Sequence, residues 1–165
     1  MKKYFLVGLV FGLVLILTNP LEAQDKGFGI GFVLGEPTGL SAKYWTTNVN
    51  AFDFGLGFTL GGDRFAYKGT YDGKNRMHFH MDYLWHSLNA INASQRFPLY
   101  YGLGGRFNTG GGYEGSFGVR GVFGIAWWPY STSLDLFVEI VPVFQITPVT
   151  GFGIDAGLGI RYFLN

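Results

Sequence analysis

Met77-His78-Phe79-His80-Met81-Asp82-Tyr83-Leu84-Trp85-His86 is the stretch on which the reading of this chain turns. Its odd positions, Met77, Phe79, Met81, Tyr83 and Trp85, are all apolar, whereas its even positions are His78, His80, Asp82, Leu84 and His86. A strand sends successive side chains to opposite faces, so this segment has one greasy face and one mostly polar face. A helix would scatter apolar residues spaced two apart around its circumference and leave no stripe to bury. The segment reads as a strand.

The same two-faced code recurs on both sides of it. Gly27–Gly35 sets Phe28, Ile30, Phe32 and Leu34 against glycines and Val33, and Gly39–Thr46 sets Leu40, Ala42 and Tyr44 against Ser41 and Lys43. Ala51–Gly61 opposes Phe52, Phe54, Leu56, Phe58 and Leu60 to Asp53, Gly55, Gly57 and Thr59. Further on, Phe97–Phe107 opposes Phe97, Leu99, Tyr101 and Leu103 to Tyr100, Gly102, Gly104 and Arg106. Ser116–Trp128 opposes Phe117, Val119, Phe123, Ile125 and Trp127 to Gly118, Arg120, Gly124 and Ala126. In Ser133–Ile146 the polar face carries Asp135, Glu139 and Gln145 but is blurred by Phe137, Val141 and Val143, and Pro142 suggests a bulge or kink. Phe152–Leu164 closes the series with Asp155, Gly157, Gly159 and Arg161 on its polar side. These are about eight strands, most near the ~9–11 residues that cross a bilayer when tilted. An even strand count with both ends on one side describes the smallest common transmembrane barrel. The expected fold is all-β: an eight-stranded antiparallel transmembrane β-barrel with a polar, glycine-rich, filled interior.

Composition agrees. Hydrophobic residues make up 48% of the 165 residues, aromatics 19% and charged residues 14%, against about 25% charged in ordinary soluble domains. With 27 glycines and no cysteine, neither a disulfide framework nor a thiolate metal site is available. A soluble lipid-binding barrel would need the faces inverted. The outward apolar side chains could not all fit inside eight strands, and the other face has too few charges for solubility.

The beginning of the chain reads as an address. Lys2 and Lys3 precede an apolar run, Tyr4–Leu17, which Thr18-Asn19-Pro20 breaks before Leu21-Glu22-Ala23. That run is short of the ~20 residues a membrane-spanning helix needs. Residues 1–23 are expected to be a signal peptide and residues 24–165 the barrel, exported to the cell outer membrane. Removing Lys2, Lys3 and Glu22 leaves ten basic and ten acidic residues, so bulk electrostatics point to no nucleic-acid partner.

Connections follow from the strands. With periplasmic termini, the outer loops are Gly35–Thr38, Gly62–Arg76, Asn108–Gly115 and Thr147–Gly151, and the inner turns are Thr47–Asn50, Ser87–Arg96 and Pro129–Thr132. Tyr44, Tyr83, Trp85, Tyr101, Trp127 and Tyr162 then all lie toward the periplasmic rim, the expected aromatic girdle of a membrane interface.

On these features, with Gly159-Ile160-Arg161-Tyr162-Phe163 at the end, the chain resembles the small eight-stranded outer-membrane barrels of the OmpA/OmpX type. More narrowly, Gly29-Ile30-Gly31, Glu36-Pro37-Thr38-Gly39-Leu40-Ser41, His78-Phe79-His80-Met81-Asp82-Tyr83 and Pro98-Leu99-Tyr100-Tyr101-Gly102 resemble an uncharacterised family of small bacterial outer-membrane proteins. The resemblance covers essentially the whole mature chain and implies fold and location rather than an activity. It also implies the bilayer with its lipopolysaccharide and the barrel assembly machinery as partners. Such barrels typically end in an aromatic residue, whereas this sequence ends Phe163-Leu164-Asn165.

Three groups of residues could carry chemistry. His78, His80 and Asp82 share one face about 6.5–7 Å apart. That suits a metal site if another strand adds a ligand; the simpler reading is an interior hydrogen-bond network. Lys43, Arg106, Arg120 and Arg161 face the same interior as Asp53, Asp82, Asp135, Glu139 and Asp155. Buried charges persist only when paired, so these read as a plug of ion pairs, with Arg106, Arg120 and Arg161 expected to pair with Asp135 and Glu139, or else as the filter of a narrow conductance path. Arg64, Lys68, Lys74 and Arg76, among Phe65, Tyr67 and Tyr71, form a basic outer loop suited to lipid phosphates or an external protein ligand, or a solvated hairpin tip. The expected function is a structural or surface-interaction barrel that is not an enzyme, with no cofactor, no metal and no catalytic residue. The alternatives are a narrow channel or small-solute transporter, and a lipid-modifying enzyme drawing on His86, Ser87 or Glu114.

Overall fold

The structure is a computed structural model that describes residues 27–59, 76–91, 93–110, 113–130 and 132–164. The leader read over residues 1–23 and the basic loop residues Arg64, Lys68 and Lys74 lie outside these.

Eight strands follow in order: β1 (Phe28–Gly35), β2 (Thr38–Trp45), β3 (Asn50–Thr59), β4 (Arg76–Ser87), β5 (Leu99–Gly110), β6 (Tyr113–Trp127), β7 (Leu134–Thr147) and β8 (Gly151–Leu164). Each pairs antiparallel with its sequence neighbours, and β8 pairs with β1, so the sheet closes on itself. Closure removes the edges that would otherwise present unpaired backbone groups.

Register sets the shape. From Ile30 the ladder leads through Ala42, Phe54, Met81, Gly105, Val119 and Phe144 to Phe152, ten residues short of Tyr162, the β8 partner of Ile30. A stagger of that size over eight strands tilts them about 40° from the barrel axis and holds the backbone about 8 Å from it. An interior so narrow admits side chains and little else.

Alternation does the rest. Phe32, Leu34, Leu103, Phe123, Ile140, Phe152 and Leu158 point away from the axis and are exposed, together with most other large apolar residues of the strands. Lys43, Asp53, His78, His80, Asp82, Arg106, Arg120, Asp135, Glu139, Asp155 and Arg161 point inward and are buried. Polar residues inside and apolar residues outside invert the arrangement of a water-soluble domain. Val33, Phe137, Val141 and Val143 are buried on the inner face as well, so the blurred face of β7 is a mixed interior rather than a second outer face.

Three boundaries in β5 and β6 differ from expectation. β5 begins at Leu99 instead of Phe97, because Pro98 has no N–H to add to the ladder; its carbonyl accepts Ala126 N at 2.9 Å. β5 and β6 continue through Asn108–Gly110 and from Tyr113, so most of the expected Asn108–Gly115 loop is ladder, with a register shift between Asn108 and Gly110. β3 is described to Thr59, and its expected end at Gly61 lies outside the described residues. No register shift occurs at Pro142, which pairs with Ile154 of β8. The shift between β6 and β7 lies instead at Phe117–Gly118.

Two close approaches depend on glycine. Gly35 ends β1 at φ 131, a backbone conformation that side chains other than glycine rarely adopt, and Thr38 Oγ1 accepts its N–H at 3.1 Å. At Gly31 a methyl would overlap the Ile160 carbonyl of β8, so the seam that closes the barrel tolerates no Cβ there.

Candidate functional site in the barrel interior

The inward residues assemble into one network that crosses the lumen. Arg161 of β8 is its hub. Its Nη2 donates to both carboxylate oxygens of Asp53 on β3, at 2.6 and 2.8 Å, and its Nε donates to Ser41 Oγ on β2 at 2.7 Å. Nη1 donates to Asp135 Oδ2 on β7 at 3.4 Å, and the guanidinium lies 3.8 Å from the centre of the Phe137 ring. A planar fork can serve several acceptors and an aromatic face at once, which an ammonium cannot. Asp135 also accepts Lys43 Nζ at 3.0 Å and Trp128 Nε1 at 3.1 Å.

Above this hub, Arg120 of β6 lies with Nε 3.1 Å from Asp82 Oδ2 and Nη2 3.7 Å from Glu139 Oε1. Glu139 accepts the Tyr100 hydroxyl at 3.2 Å. Nearer the opening beyond β1–β2, Arg106 donates to Asp155 at 2.7 Å, and Asn108 Nδ2 donates to Ser116 Oγ at 3.3 Å.

At the end bearing the barrel's termini, aromatic rings fill the lumen. Trp45 meets His86 at 4.4 Å and Trp128 edge-on at 5.8 Å between ring centres. His86 leans on Tyr100 at 5.3 Å, and Lys43 Nζ lies over the rings of Tyr100 and Trp45 at 5.0 and 5.7 Å. Leu88, from the connection after β4, packs against this cluster, and Trp128 N donates to the Arg96 carbonyl at 3.0 Å. His86 is therefore part of the packing, buried against Lys43 and the Val49 carbonyl. Glu114, near the start of β6, belongs to the opposite end of the barrel. These two residues of the enzyme alternative are not brought together.

All eleven expected lumen residues face inward, but the partners differ in part from those expected. Sequence neighbours suggested that Arg106, Arg120 and Arg161 would pair with Asp135 and Glu139. Two of those pairs form, Arg161 with Asp135 at 3.4 Å and Arg120 with Glu139 at 3.7 Å, but Asp53 and Asp82 lie closer to these arginines, and Arg106 takes Asp155. Lys43 is opposite Asp53 in the ladder yet bonds Asp135 across the lumen.

The expected girdle residues Tyr44, Tyr83, Trp85, Tyr101, Trp127 and Tyr162 sit on the outer face toward the end where β1 begins and β8 ends. Trp85 stacks with Tyr101 at 5.7 Å and meets Tyr83 edge-on at 4.9 Å. Arg76 opens β4 opposite Thr59. Sequence reasoning missed Ser41, Trp45, Tyr100 and Trp128 as members of the interior network, although each falls at an inward position of the alternation.

Of the three metal candidates, His80 and Asp82 keep that geometry and His78 does not. One donor atom each from Asp53, His80 and Asp82 lie within 4.8 Å of one another. His78 instead hydrogen-bonds His80, with Nε2 3.0 Å from Nδ1. Comparison of the chain with protein-family models, with curated proteins and with solved structures found no match to any of them.

Proposed function

We propose that the chain is a small integral outer-membrane β-barrel of structural or surface-interaction type, related to the OmpA/OmpX-type barrels and delivered by an N-terminal signal peptide. One observation carries the reading: a closed barrel whose outer face is a continuous belt of exposed apolar side chains. Along β8 those residues run from Phe152 to Leu164, a height of about 30 Å at this tilt. Outer-membrane barrels carry an apolar band about 25 Å tall. Contiguous exposed apolar surface of this extent has no place in water, and the rim of tyrosine and tryptophan suits a lipid headgroup boundary.

The interior supports a shut lumen over an open pore. Cross-lumen ion pairs occupy its middle and packed aromatic rings occupy one end, leaving the connections at the other end to meet lipopolysaccharide or external proteins. The barrel acts in this reading as a passive, rigid mount for those connections and catalyses nothing.

The test is partition. The protein refolded from urea with phospholipid vesicles and no detergent is expected to float with the vesicles. It is also expected to migrate faster on gels unheated than boiled, because closed barrels resist SDS. A soluble monomer left in the aqueous phase would overturn the proposal.

A further inference from the structure

We propose that Asp53, His80 and Asp82 form a binding site for one divalent transition-metal cation of the zinc type inside the lumen. All three side chains are buried, and one donor atom from each falls within 4.8 Å of the other two. Two carboxylates and an imidazole are a donor set that zinc accepts.

Hydrogen-bond direction fixes which nitrogen of His80 is available. Arg120 Nη1 lies 3.4 Å from His78 Nε2, and a guanidinium can only donate. His78 Nε2 is therefore an acceptor, so the 3.0 Å contact between it and His80 Nδ1 is donated by His80. With its proton on Nδ1, neutral His80 carries a lone pair on Nε2. That lone pair faces Asp82, whose Oδ2 is 3.9 Å away, too far for a hydrogen bond. Neither of these two atoms can donate to the other. A zinc ion bonds imidazole nitrogen and carboxylate oxygen each at about 2.0–2.2 Å, and a separation of 3.9 Å is one such an ion bridges. The His78–His80 bond is also the kind of second contact that holds a ligating histidine in place.

Asp82 points to the same ligand independently. It is 1% exposed; its Oδ2 stands 3.1 Å from Arg120 Nε in an ion pair without hydrogen-bond geometry, and its Oδ1 has no hydrogen-bond partner among the described residues. Asp53 stands directly opposite it in the β3–β4 ladder, and like charges so placed destabilise a sheet. Among the described strand residues, buried carboxylates also outnumber buried cations: Asp53, Asp82, Asp135, Glu139 and Asp155 against Lys43, Arg106, Arg120 and Arg161. A cation held by both Asp53 and Asp82 removes the repulsion and offsets the excess. Gly55, opposite His80, and Gly104, opposite Asp82, supply the room, since a Cβ at either would overlap those side chains.

The experiment folds the purified protein in detergent with Zn2+, desalts it, and measures zinc by elemental analysis. About one zinc per barrel is expected in the wild type and none in Asp82→Asn or His80→Gln protein that keeps its heat-shifted gel band. His78→Asn should weaken zinc, measured against a chromophoric chelator, by about 10–100-fold. No zinc in the wild type, or equal zinc in both ligand variants, overturns the proposal. If the variants do not fold, Co2+-loaded wild type decides: intense visible bands of a low-coordinate nitrogen and oxygen site are expected, and the weak spectrum of the six-coordinate aqueous ion overturns it.

Discussion

Replacing Arg161 by leucine removes the hub of the interior while keeping an apolar stem beside Phe137. The lost guanidinium makes contacts of 2.6 and 2.8 Å with Asp53, 2.7 Å with Ser41 and 3.4 Å with Asp135. Asp135 retains Lys43 and Trp128. Asp53, 1% exposed, loses both of its hydrogen bonds. Breaking a buried pair by deleting one partner costs about 3–5 kcal/mol, chiefly through the charge left behind. Asp53→Leu alone should cost less, because Arg161 keeps Ser41 and Asp135. The double variant Arg161→Leu with Asp53→Leu leaves no orphaned charge, so it should fall short of the summed single costs by about 1–3 kcal/mol. Urea titration in phosphocholine vesicles with EDTA present, read by the heat-shifted band and by tryptophan fluorescence, measures all three. A cost below about 1 kcal/mol for Arg161→Leu, or additivity within about 0.5 kcal/mol, would refute the network as the basis of the interior.

Other outcomes follow from the same geometry. Phe54→Arg, near the middle of β3 on the outer face, should cost about 2–4 kcal/mol in a bilayer; the same urea titration checks it, and an unchanged midpoint would mean the lipid-facing side is misassigned. Gly31→Ala should abolish the heat-shifted band by forcing β1 from β8. Gly105→Ala, where the new methyl would sit 3.3 Å from the edge of the Phe117 ring, should retain that band. Trp45→Ala with Trp128→Ala removes the ring packing at the terminal end and should admit water there, seen as faster exchange of the Leu84 and Tyr100 amides; unchanged exchange would show that those rings do not seal the lumen.

Which way each side chain faces was legible from Met77–His86 outward, because strand alternation has a period of two and a one-residue slip would exchange the faces. That is why every inward charge was placed correctly while the expected pairs of Arg161 with Asp135 and Arg120 with Glu139 appear only as the longer contacts of those arginines. Alternation and hairpin order fix ladder neighbours, such as Lys43 opposite Asp53 and Asp135 opposite Arg161. Long side chains in a narrow lumen ignore those neighbours and reach across it, and the crossing partner depends on the ten-residue stagger. No local pattern announces that stagger. Trp45 and Trp128 were readable by parity alone, yet a tryptophan beside a strand end looks like a rim residue until His86, the other tryptophan and the Leu88 connection pack around it. The metal candidates were half legible for the same reason: His80 and Asp82 share a strand face, but their third partner, Asp53, comes from the neighbouring strand, and His78 turns to His80.

Single-channel recording of the wild-type protein in planar bilayers tests the central claim most directly. A lumen shut by Arg161, Asp53, Lys43, Asp135 and the rings of Trp45 and Trp128 predicts a silent membrane, with no stable unitary current steps at either polarity. Reproducible unitary steps from heat-shifted, correctly inserted wild-type barrels would contradict it, and would recast the interior charges as the lining of a conduction path.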